Sequence, residues 1–287
     1  MRKLENENET VVSAGISPTA DVQVIFTTTP AVECSSRESV PNGRALLDVR
    51  IPERVEVIRD YAFRECSSLA RVSIPNSVTR LGFSAFAGCR SLRALTIPDS
   101  VTWIGENAFE DCSSLVALTI PGSVVQIGSF AFEGCTSLRS LTISDSVVRI
   151  SQRTFRGCSS LTSLNIPSSV TEIGPNAFQN CTALSTLTIP NSVIRIGQLA
   201  FAGCSSLRSL TIPDSMCRIG FCAFQGCRSL KSLTIPESVT QLGYHAFGEC
   251  TALSSLRLPE SLKHDSNFFA GCSSLPRTPR GSIVAEI

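Results

Sequence analysis

The chain has 287 residues, of which 43% are apolar and 17% charged, and its formal net charge is +1. A chain of this length and apolar content can bury a hydrophobic core. The near-zero charge argues against a general nucleic-acid-binding protein, because such a protein carries a strong basic excess over its whole domain.

The sequence contains no long apolar segment. A membrane-spanning helix needs about 18 or more consecutive apolar residues, and none is present, so we predict no membrane span. Residues 1–10, MRKLENENET, are polar where a secretory signal carries an apolar stretch. These features predict a cytoplasmic protein. The alternative, a cell-surface or secreted protein, applies if the N-terminus as given is incomplete.

Residues 1–44 do not repeat and are rich in Glu, Asn, Ser, Thr and Pro. This composition predicts a flexible N-terminal segment, with Val22–Phe26 as its one short strand candidate. Residues 276–287 are predicted to form a loose C-terminal tail beyond the repeats.

Residues 45–275 consist of copies of one 23-residue unit. Ile97–Thr119 reads IPDSVTWIGENAFEDCSSLVALT, and Ile120–Thr142 reads IPGSVVQIGSFAFEGCTSLRSLT. The copies begin at Ile51, Ile74, Ile97, Ile120, Ile143, Ile166, Ile189, Ile212, Ile235 and Leu258. A fixed period in this range is typical of a leucine-rich-repeat solenoid, in which each coil buries its apolar edge against its neighbours. We therefore predict one α/β repeat domain of about ten coils, ending in a polar cap around His264 and Asp265.

The spacing within one unit predicts which side chains face the core. Leu115, Leu118 and Ile120 point inward from a short strand, while Ala117 and Thr119 point outward. Val124 and Ile127 are also predicted inside, Gly128 is predicted to turn the chain, and Ala131 and Phe132 enter the core from a short helical or 3₁₀ turn. In register, the phenylalanines form the predicted spine of the stack, and a serine in nearly every coil is predicted to form an inward hydroxyl ladder.

The 13 cysteines are mostly part of the repeat. Ten recur at one corner of successive coils: Cys66, Cys89, Cys112, Cys135, Cys158, Cys181, Cys204, Cys227, Cys250 and Cys272. A thiol beside apolar columns behaves as a small buried hydrophobe, so we predict inert free thiols there, and a free thiol at Cys34. A metal or redox site at Cys217, Cys222 and Cys227 is the open alternative, although the paired CxxC spacing typical of zinc is absent.

The unit C-[ST]-[SA]-L-x-x-L-x-I-P-x-S-V-x-x-I-G-x-x-A-F-x-[GN] resembles the BspA-like, or Treponema pallidum-type, leucine-rich repeats, and the resemblance extends from Leu46 to about Leu275. It implies a right-handed, curved solenoid with a parallel strand layer on its concave face. Members of this family are often surface adhesins that bind host or matrix proteins, and many others are intracellular. The resemblance therefore implies protein binding.

The outward strand positions provide the predicted contact surface. Its centre carries small hydroxyls. A basic rim of Arg93, Arg139, Arg208 and Lys231 precedes the strands, and an acidic rim of Glu53, Asp99, Asp145, Asp214, Glu237 and Glu260 follows them. The predicted partner-binding residues are Arg71, Arg93, Arg139, Arg208, Lys231, Arg257, Thr119, Thr142, Thr188 and Thr211. A solvated face with no dedicated ligand is the alternative, because Ser and Thr suit exposed strand positions.

The sequence does not predict an enzyme. It has two histidines, His245 and His264, and no P-loop, GxGxxG, HExxH or GxSxG motif. We predict no catalytic residue, metal ion or cofactor. The leading hypothesis is a monomeric, non-catalytic scaffold that binds a protein partner through its concave strand face. The alternatives are a cell-surface adhesin for matrix protein or glycan and, with less support, a hydroxyl array that orders water.

Overall fold

A computed structural model describes residues 48–262 and 266–276. The strand candidate Val22–Phe26, Cys34, the predicted cap at His264 and Asp265, and the predicted tail beyond Pro276 lie outside the described residues. The proposed domain boundaries at 44/45 and 275/276 are therefore not tested.

The described chain is a parallel-strand solenoid of about 9 turns of ~23 residues with almost no helix, which confirms the predicted fold. The strands are β1 (Asp48–Arg50), β2 (Val57–Ile58), β3 (Arg71–Ser73), β4 (Arg80–Leu81), β5 (Trp103–Ile104), β6 (Ala117–Thr119), β7 (Gln126–Ile127), β8 (Ser140–Thr142), β9 (Arg149–Ile150), β10 (Ser163–Asn165), β11 (Glu172–Ile173), β12 (Thr186–Thr188), β13 (Arg195–Ile196), β14 (Ser209–Thr211), β15 (Arg218–Ile219), β16 (Ser232–Thr234), β17 (Gln241–Leu242) and β18 (Ser255–Arg257).

The three-residue strands form the predicted strand layer, which we call the first ladder. Equivalent residues of successive coils pair in parallel, as in Leu164 with Leu187 and Leu187 with Leu210. The central leucine is buried and its two neighbours are exposed, as the alternation predicts. At Ala94 the ladder narrows to isolated bridges with Arg71 and Ala117.

The two-residue strands form a second parallel ladder that the sequence analysis did not predict. It runs β2-β4-β5-β7 and then β9-β11-β13-β15-β17. In each coil it follows the turn after the Ile-Pro step, where the Val78 N–H donates to the Pro75 carbonyl at 3.1 Å. The inward residue, such as Ile127 or Ile150, is buried as predicted, but the preceding residue faces solvent on a second side of the solenoid.

The segment that ends in phenylalanine is made of hydrogen-bonded turns rather than helix. The described 3₁₀ helices, Glu260–Leu262 and Ser266–Phe269, both lie near the C-terminal end. In the coils, the turns also bond to the next coil: the Phe63 N–H donates to the Ala85 carbonyl at 2.7 Å, and the Phe86 N–H to the Ala108 carbonyl at 2.8 Å. These repeated bonds make a third coil-to-coil ladder and fix the position of each phenylalanine.

The phenylalanine spine is confirmed. The stacked rings are Phe63, Phe86, Phe109, Phe132, Phe155, Phe178, Phe201, Phe224, Phe247 and Phe269. All are fully buried, and neighbouring centroids lie between 5.1 Å, as in Phe63–Phe86, and 5.7 Å, as in Phe247–Phe269. The near-parallel rings run through the whole described stack and tie the coils into one core.

The serine ladder is present at some coils only. Ser77, Ser100 and Ser169 donate to a carbonyl of the preceding coil at 2.7, 2.6 and 2.7 Å. The hydroxyls of Ser123, Ser192 and Ser238 are buried without a partner among the described residues.

The recurring glycine that follows the second ladder has a different role from the predicted one. Gly105 and Gly128 do not have a left-handed backbone. A Cβ on Gly128 would lie 2.4 Å from the Glu106 backbone nitrogen, and a Cβ on Gly105 would lie 2.5 Å from the Gly82 carbonyl oxygen. Glycine is needed here because successive coils approach backbone to backbone, and the chain does not need it to turn.

Both strand ladders are interrupted between the same two coils. Strands β7 and β9 do not pair, and neither do β8 and β10; the first ladder alone is interrupted again between β14 and β16. In the coil that follows the shared break, Ser144 replaces the proline, Ser151 the glycine and Thr154 the alanine of the repeat. The third ladder continues, since the Phe132 N–H donates to the Thr154 carbonyl at 2.9 Å. We call this junction the seam.

Candidate binding surfaces

The basic rim forms an exposed line beside the first ladder. The backbones of this column bond from coil to coil, as in the Val116 N–H to the Arg93 carbonyl at 3.2 Å and the Arg139 N–H to the Val116 carbonyl at 2.8 Å. Arg208 and Lys231 occupy adjacent coils farther along the stack. All four rim cations are exposed, and none has an ion-pair partner within residues 48–262 and 266–276.

Arg71, another predicted contact residue, is already engaged. Its Nε and Nη2 donate to the two carboxylate oxygens of Asp48 on the neighbouring strand, at 2.8 and 2.7 Å. This bidentate bond holds the pKa of Asp48 below its usual value. Arg71 can therefore contact a partner only together with Asp48. Arg257, at the end of β18, is exposed and pairs in register with Thr234.

The predicted threonines lie at the outward ends of the first-ladder strands. Thr119 pairs in register with Thr142, and Thr188 pairs with Thr211, and all four are exposed. The seam falls after Thr142, so the structure brings these residues together as two pairs. All six members of the acidic rim are also exposed. We call the outward serines and threonines of the first-ladder strands, such as Ser140 and Thr142, the hydroxyl strip. Along each coil, the strip follows the residue of the basic rim and precedes the residue of the acidic rim.

The first ladder contains a shallow depression where the strand is interrupted. Its volume is about 720 Å³, and its floor includes Ala94 and Ala117. Arg93 and Val116 line it on the side of the basic rim, and Asp99 lines it on the side of the acidic rim. Small alanines replace the hydroxyl residues at this point, so the face offers an apolar hollow between opposite charges.

The second ladder presents a further exposed face that the sequence analysis missed. The first residue of each of its strands is exposed, or half-buried at Trp103 and Glu172, and the residue before it is exposed in every described strand of this ladder. Arg80 stacks over the Trp103 ring at 3.9 Å, and Arg149 pairs with Glu172 at 3.2 Å. A periodic signal for this face exists in the sequence, because the Arg residues recur one position before the buried isoleucine of the unit.

The cysteine column is buried as predicted, with one correction. The Cys89 thiol donates to the Phe63 carbonyl at 3.2 Å, and the Cys112 thiol donates to the Phe86 carbonyl at 3.3 Å. Burial raises the pKa of Cys89 and of Cys181 to about 12, so these thiols stay protonated and unreactive. Cys66 was predicted to be free, but it is disulfide-bonded.

The alternative of a metal or redox site at Cys217, Cys222 and Cys227 gains no support. Cys217 is exposed, whereas Cys222 and Cys227 are buried. In the described ranges, no group of three or more His, Cys, Asp or Glu side chains is arranged to hold a metal ion. His245 is half-buried, with its ring edge against Phe221 at 6.4 Å between centroids.

The fold defines this molecule as a leucine-rich-repeat solenoid with exposed strand faces. The chain belongs to the BspA type leucine-rich repeat family: a family model described as "BspA type Leucine rich repeat region (6 copies)" matches residues 41–161, 104–218 and 195–279. A comparison with curated proteins found no match. Over residues 48–262 and 266–276, no helix is long and apolar enough to cross a membrane.

Several solved structures are similar to this chain. A leucine-rich repeat protein from Bacteroides ovatus ATCC 8483 shares 27% identity with a TM-score of 0.73, over 90% of this chain and 72% of its own. A leucine rich cell surface protein from Faecalibacterium prausnitzii A2-165 shares 31% identity with a TM-score of 0.49, over 80% and 78%. The T. pallidum leucine-rich repeat protein shares 29% identity with a TM-score of 0.46, over 65% and 79%.

Proposed function

We propose that this protein is a non-catalytic scaffold that binds a protein partner across the outward side of the first ladder. The observation that carries the proposal is the basic rim. Arg93, Arg139, Arg208 and Lys231 are exposed without ion-pair partners among the described residues, although exposed acids are available on the same coils. Because these four side chains lie along one line and are unpaired, they can form ion pairs with acidic residues at the edge of a partner protein.

The basic rim, the hydroxyl strip and the acidic rim form three columns side by side, and this arrangement supports a partner that contacts all three. The hydroxyl strip can donate and accept hydrogen bonds, and the opposite charges of the two rims orient an approaching protein. The depression at Ala94 and Ala117 can take one apolar side chain. With no aromatic anchor in these columns, the contact depends on many polar bonds rather than on one hot spot.

A cytoplasmic location and a monomeric state are part of this proposal. The second candidate is a cell-surface adhesin, and the observation that favours it is the disulfide at Cys66, because disulfides persist mainly in oxidising compartments. Protease treatment of intact source cells separates the two locations. Digestion of the protein in intact cells supports the adhesin, and survival until the cells are lysed supports the cytoplasmic scaffold.

The binding role is tested by a pull-down with native lysate and with an extract of the cell exterior. The rim variant changes Arg93, Arg139, Arg208 and Lys231 to Glu. The control changes Arg54, Arg64, Arg90 and Arg228 to Glu, which are exposed but lie outside the first-ladder columns. Circular dichroism confirms that both variants are folded.

A partner retained by the wild type and the control but lost by the rim variant supports the proposed face. Equal capture by all three proteins contradicts it, as does equal loss from both variants, because net charge alone would then explain the result. Absence of a specific partner from both extracts contradicts the scaffold proposal itself.

A further inference from the structure

Arginines occupy the outward position of four second-ladder strands, and two of the four have a partner within the fold. Arg80 stacks on Trp103, and Arg149 bonds to Glu172 in the next coil. Arg195 and Arg218 differ. They are exposed, they pair directly in register on β13 and β15, and neither side chain has an acidic or aromatic partner in the described part of the chain.

This pairing is unfavourable for the isolated protein. Neighbouring strands lie about 4.8 Å apart, and like charges directly opposite each other on a sheet destabilise it. Glu172 stands in register between Arg149 and Arg195, but its carboxylate bonds to Arg149. Arg218 has no acid in register, because its other neighbour across the strands is Gln241. A carboxylate from outside, placed between the Arg195 and Arg218 guanidiniums, removes the repulsion and gains charge-assisted hydrogen bonds.

Exposed apolar side chains surround this arginine pair. Ile194 is 41% exposed and precedes Arg195, and Cys217 is exposed and precedes Arg218. The Cys217 N–H donates to the Ile194 carbonyl at 3.0 Å, so these two residues are neighbours across the coils. Phe221 and Tyr244 are 50% and 58% exposed.

The two aromatic residues belong to the same part of the surface. The Cys222 N–H bonds to the Tyr244 carbonyl at 3.0 Å, which stacks the Phe221 and Tyr244 segments on adjacent coils. Phe221 follows Arg218 by only three residues, or at most about 10 Å of chain. Aromatic and arginine side chains together are the composition of protein-binding hot spots, and the hydroxyl strip of the first ladder lacks it.

We propose that Ile194, Arg195, Cys217, Arg218, Phe221 and Tyr244 form a second docking surface, which binds an acidic peptide segment of a partner protein. Glutamate or aspartate side chains of the segment bridge Arg195 and Arg218, and an adjacent apolar side chain packs against Phe221 and Tyr244. The surface lies on the second ladder and is independent of the first-ladder contact.

The direct test is fluorescence anisotropy with a labelled glutamate-rich peptide that contains a central leucine and phenylalanine. The lysine-rich counterpart is the negative probe, and a single-stranded oligonucleotide of equal charge is the polyanion probe. We expect the acidic peptide to bind, the lysine peptide not to bind, and the affinity to fall with added salt, because exposed charges are screened over about 8 Å at 0.15 M ionic strength.

The decisive variant is Arg218→Glu. It places an acid in register with Arg195 on the side away from Glu172, so folding is expected to be retained or improved. We expect the acidic peptide to bind Arg218→Glu at least about tenfold more weakly, which corresponds to the loss of one charge-assisted contact. Arg90→Glu, at an exposed position outside both ladders, makes the same change of charge and is expected to leave this affinity unchanged. Phe221→Ser tests the apolar contact, with an expected loss of about fivefold.

Cys217 gives a second readout that leaves the two arginines and the two aromatic residues of the surface unchanged. It is the exposed thiol of the described residues. We expect the acidic peptide to slow its modification by a thiol reagent, with Cys217→Ser identifying the reacting site by the loss of that label.

The proposal is overturned if the acidic peptide fails to bind, if Arg90→Glu weakens binding as much as Arg218→Glu, or if the oligonucleotide binds as tightly, which would indicate a general polyanion surface. These outcomes do not depend on the pull-down with the rim variant, so either proposal can fail alone.

Discussion

At the residue scale, the turns of each coil depend on two left-handed backbone positions. The first lies two residues after the glycine column, as at Asn107, Phe130 and Leu199, and the second lies just before the cysteine, as at Asp111 and Gly134. Such φ values cost L-residues other than Gly, Asn and Asp about 1–2 kcal/mol. The hydrogen bonds of the third ladder fix this backbone conformation in every coil. Whatever residue stands at these two positions must therefore accept a left-handed backbone.

Glu249 provides a test of this constraint. Its φ is +56°, in a column where Gly88, Gly203 and Gly226 also stand. We expect Glu249→Gly to stabilise the protein by about 0.5 kcal/mol, because relief of the left-handed strain exceeds the added chain entropy of glycine. The exposed side-chain contacts that Glu249 would lose, with Gln225 at 3.1 Å and with Arg228 at 3.9 Å, contribute little.

Thermal unfolding measures the difference, and Glu237→Gly is the matched control. Glu237 is exposed and does not have a left-handed backbone, so the same substitution is expected to lower the melting temperature. A lower melting temperature for Glu249→Gly as well would show that the left-handed position carries no strain.

At the scale of the element, the separation of the coils is set by the glycine column. Backbone atoms of the preceding coil lie 2.4 to 2.7 Å from the position that a Gly128 Cβ would take. The Gly128 N–H donates to the Ile104 carbonyl at 2.9 Å, and the Gly174 N–H donates likewise to the Ile150 carbonyl at 2.8 Å. The close approach of the two backbones and the hydrogen bond between them therefore both require glycine at this position.

Gly128→Ala is expected to destabilise the protein by about 1–3 kcal/mol, the usual range for overpacking, because the added methyl group must separate two coils. Gly122→Ala is the matched control in the same repeat. Nothing lies within 4 Å of a Cβ at Gly122, so we expect little change. Chemical denaturation of the two variants gives the comparison. Equal stabilities would refute the close approach of the coils at Gly128.

At the scale of the whole molecule, both strand ladders break at the seam, which divides the second ladder into two blocks. Ser151 stands in the glycine column there, and its hydroxyl donates to the Ile127 carbonyl at 2.8 Å, the acceptor that a glycine N–H takes in the other coils. Among the described residues, the Ser151 N–H itself makes no backbone bond. The Cβ of Ser151 keeps the two coils too far apart for the backbone N–H to reach this carbonyl. The serine hydroxyl donates the hydrogen bond instead.

Native-state hydrogen exchange can detect the seam. We expect the Ser151 amide to exchange at least about tenfold faster than those of Gly174, Gly197 and Gly220, since each of these donates to the preceding coil and unbonded amides open at low cost. In Ser151→Gly, the restored N–H bond should slow exchange at residue 151. Uniform protection across all four positions in the wild type would rule out the seam.

The exposed residues of the first ladder could be predicted because successive side chains of a strand point alternately inward and outward. Leu118 is buried, and its neighbours Ala117 and Thr119 are exposed, as that alternation requires. The exposed face of the second ladder was missed because a two-residue strand is too short to show the two-residue alternation of inward and outward side chains. The pattern predicted that Val124 and Ile127 are buried but indicated no strand at Ile127. The pairing of Arg71 with Asp48 was also missed, since Asp48 lies in the half coil before the first full repeat.

The repeat, the family, the phenylalanine spine and the inward leucines could all be predicted from the amino-acid sequence, because a fixed period of 23 residues requires each column to have the same neighbours in every coil. The pairing of exposed charges, the reason why glycine recurs and the breaks in the ladders became visible only in the folded solenoid. These features depend on distances between adjacent coils. A single substitution such as Ser151 changes those distances without changing the period, so the repeat pattern cannot reveal them.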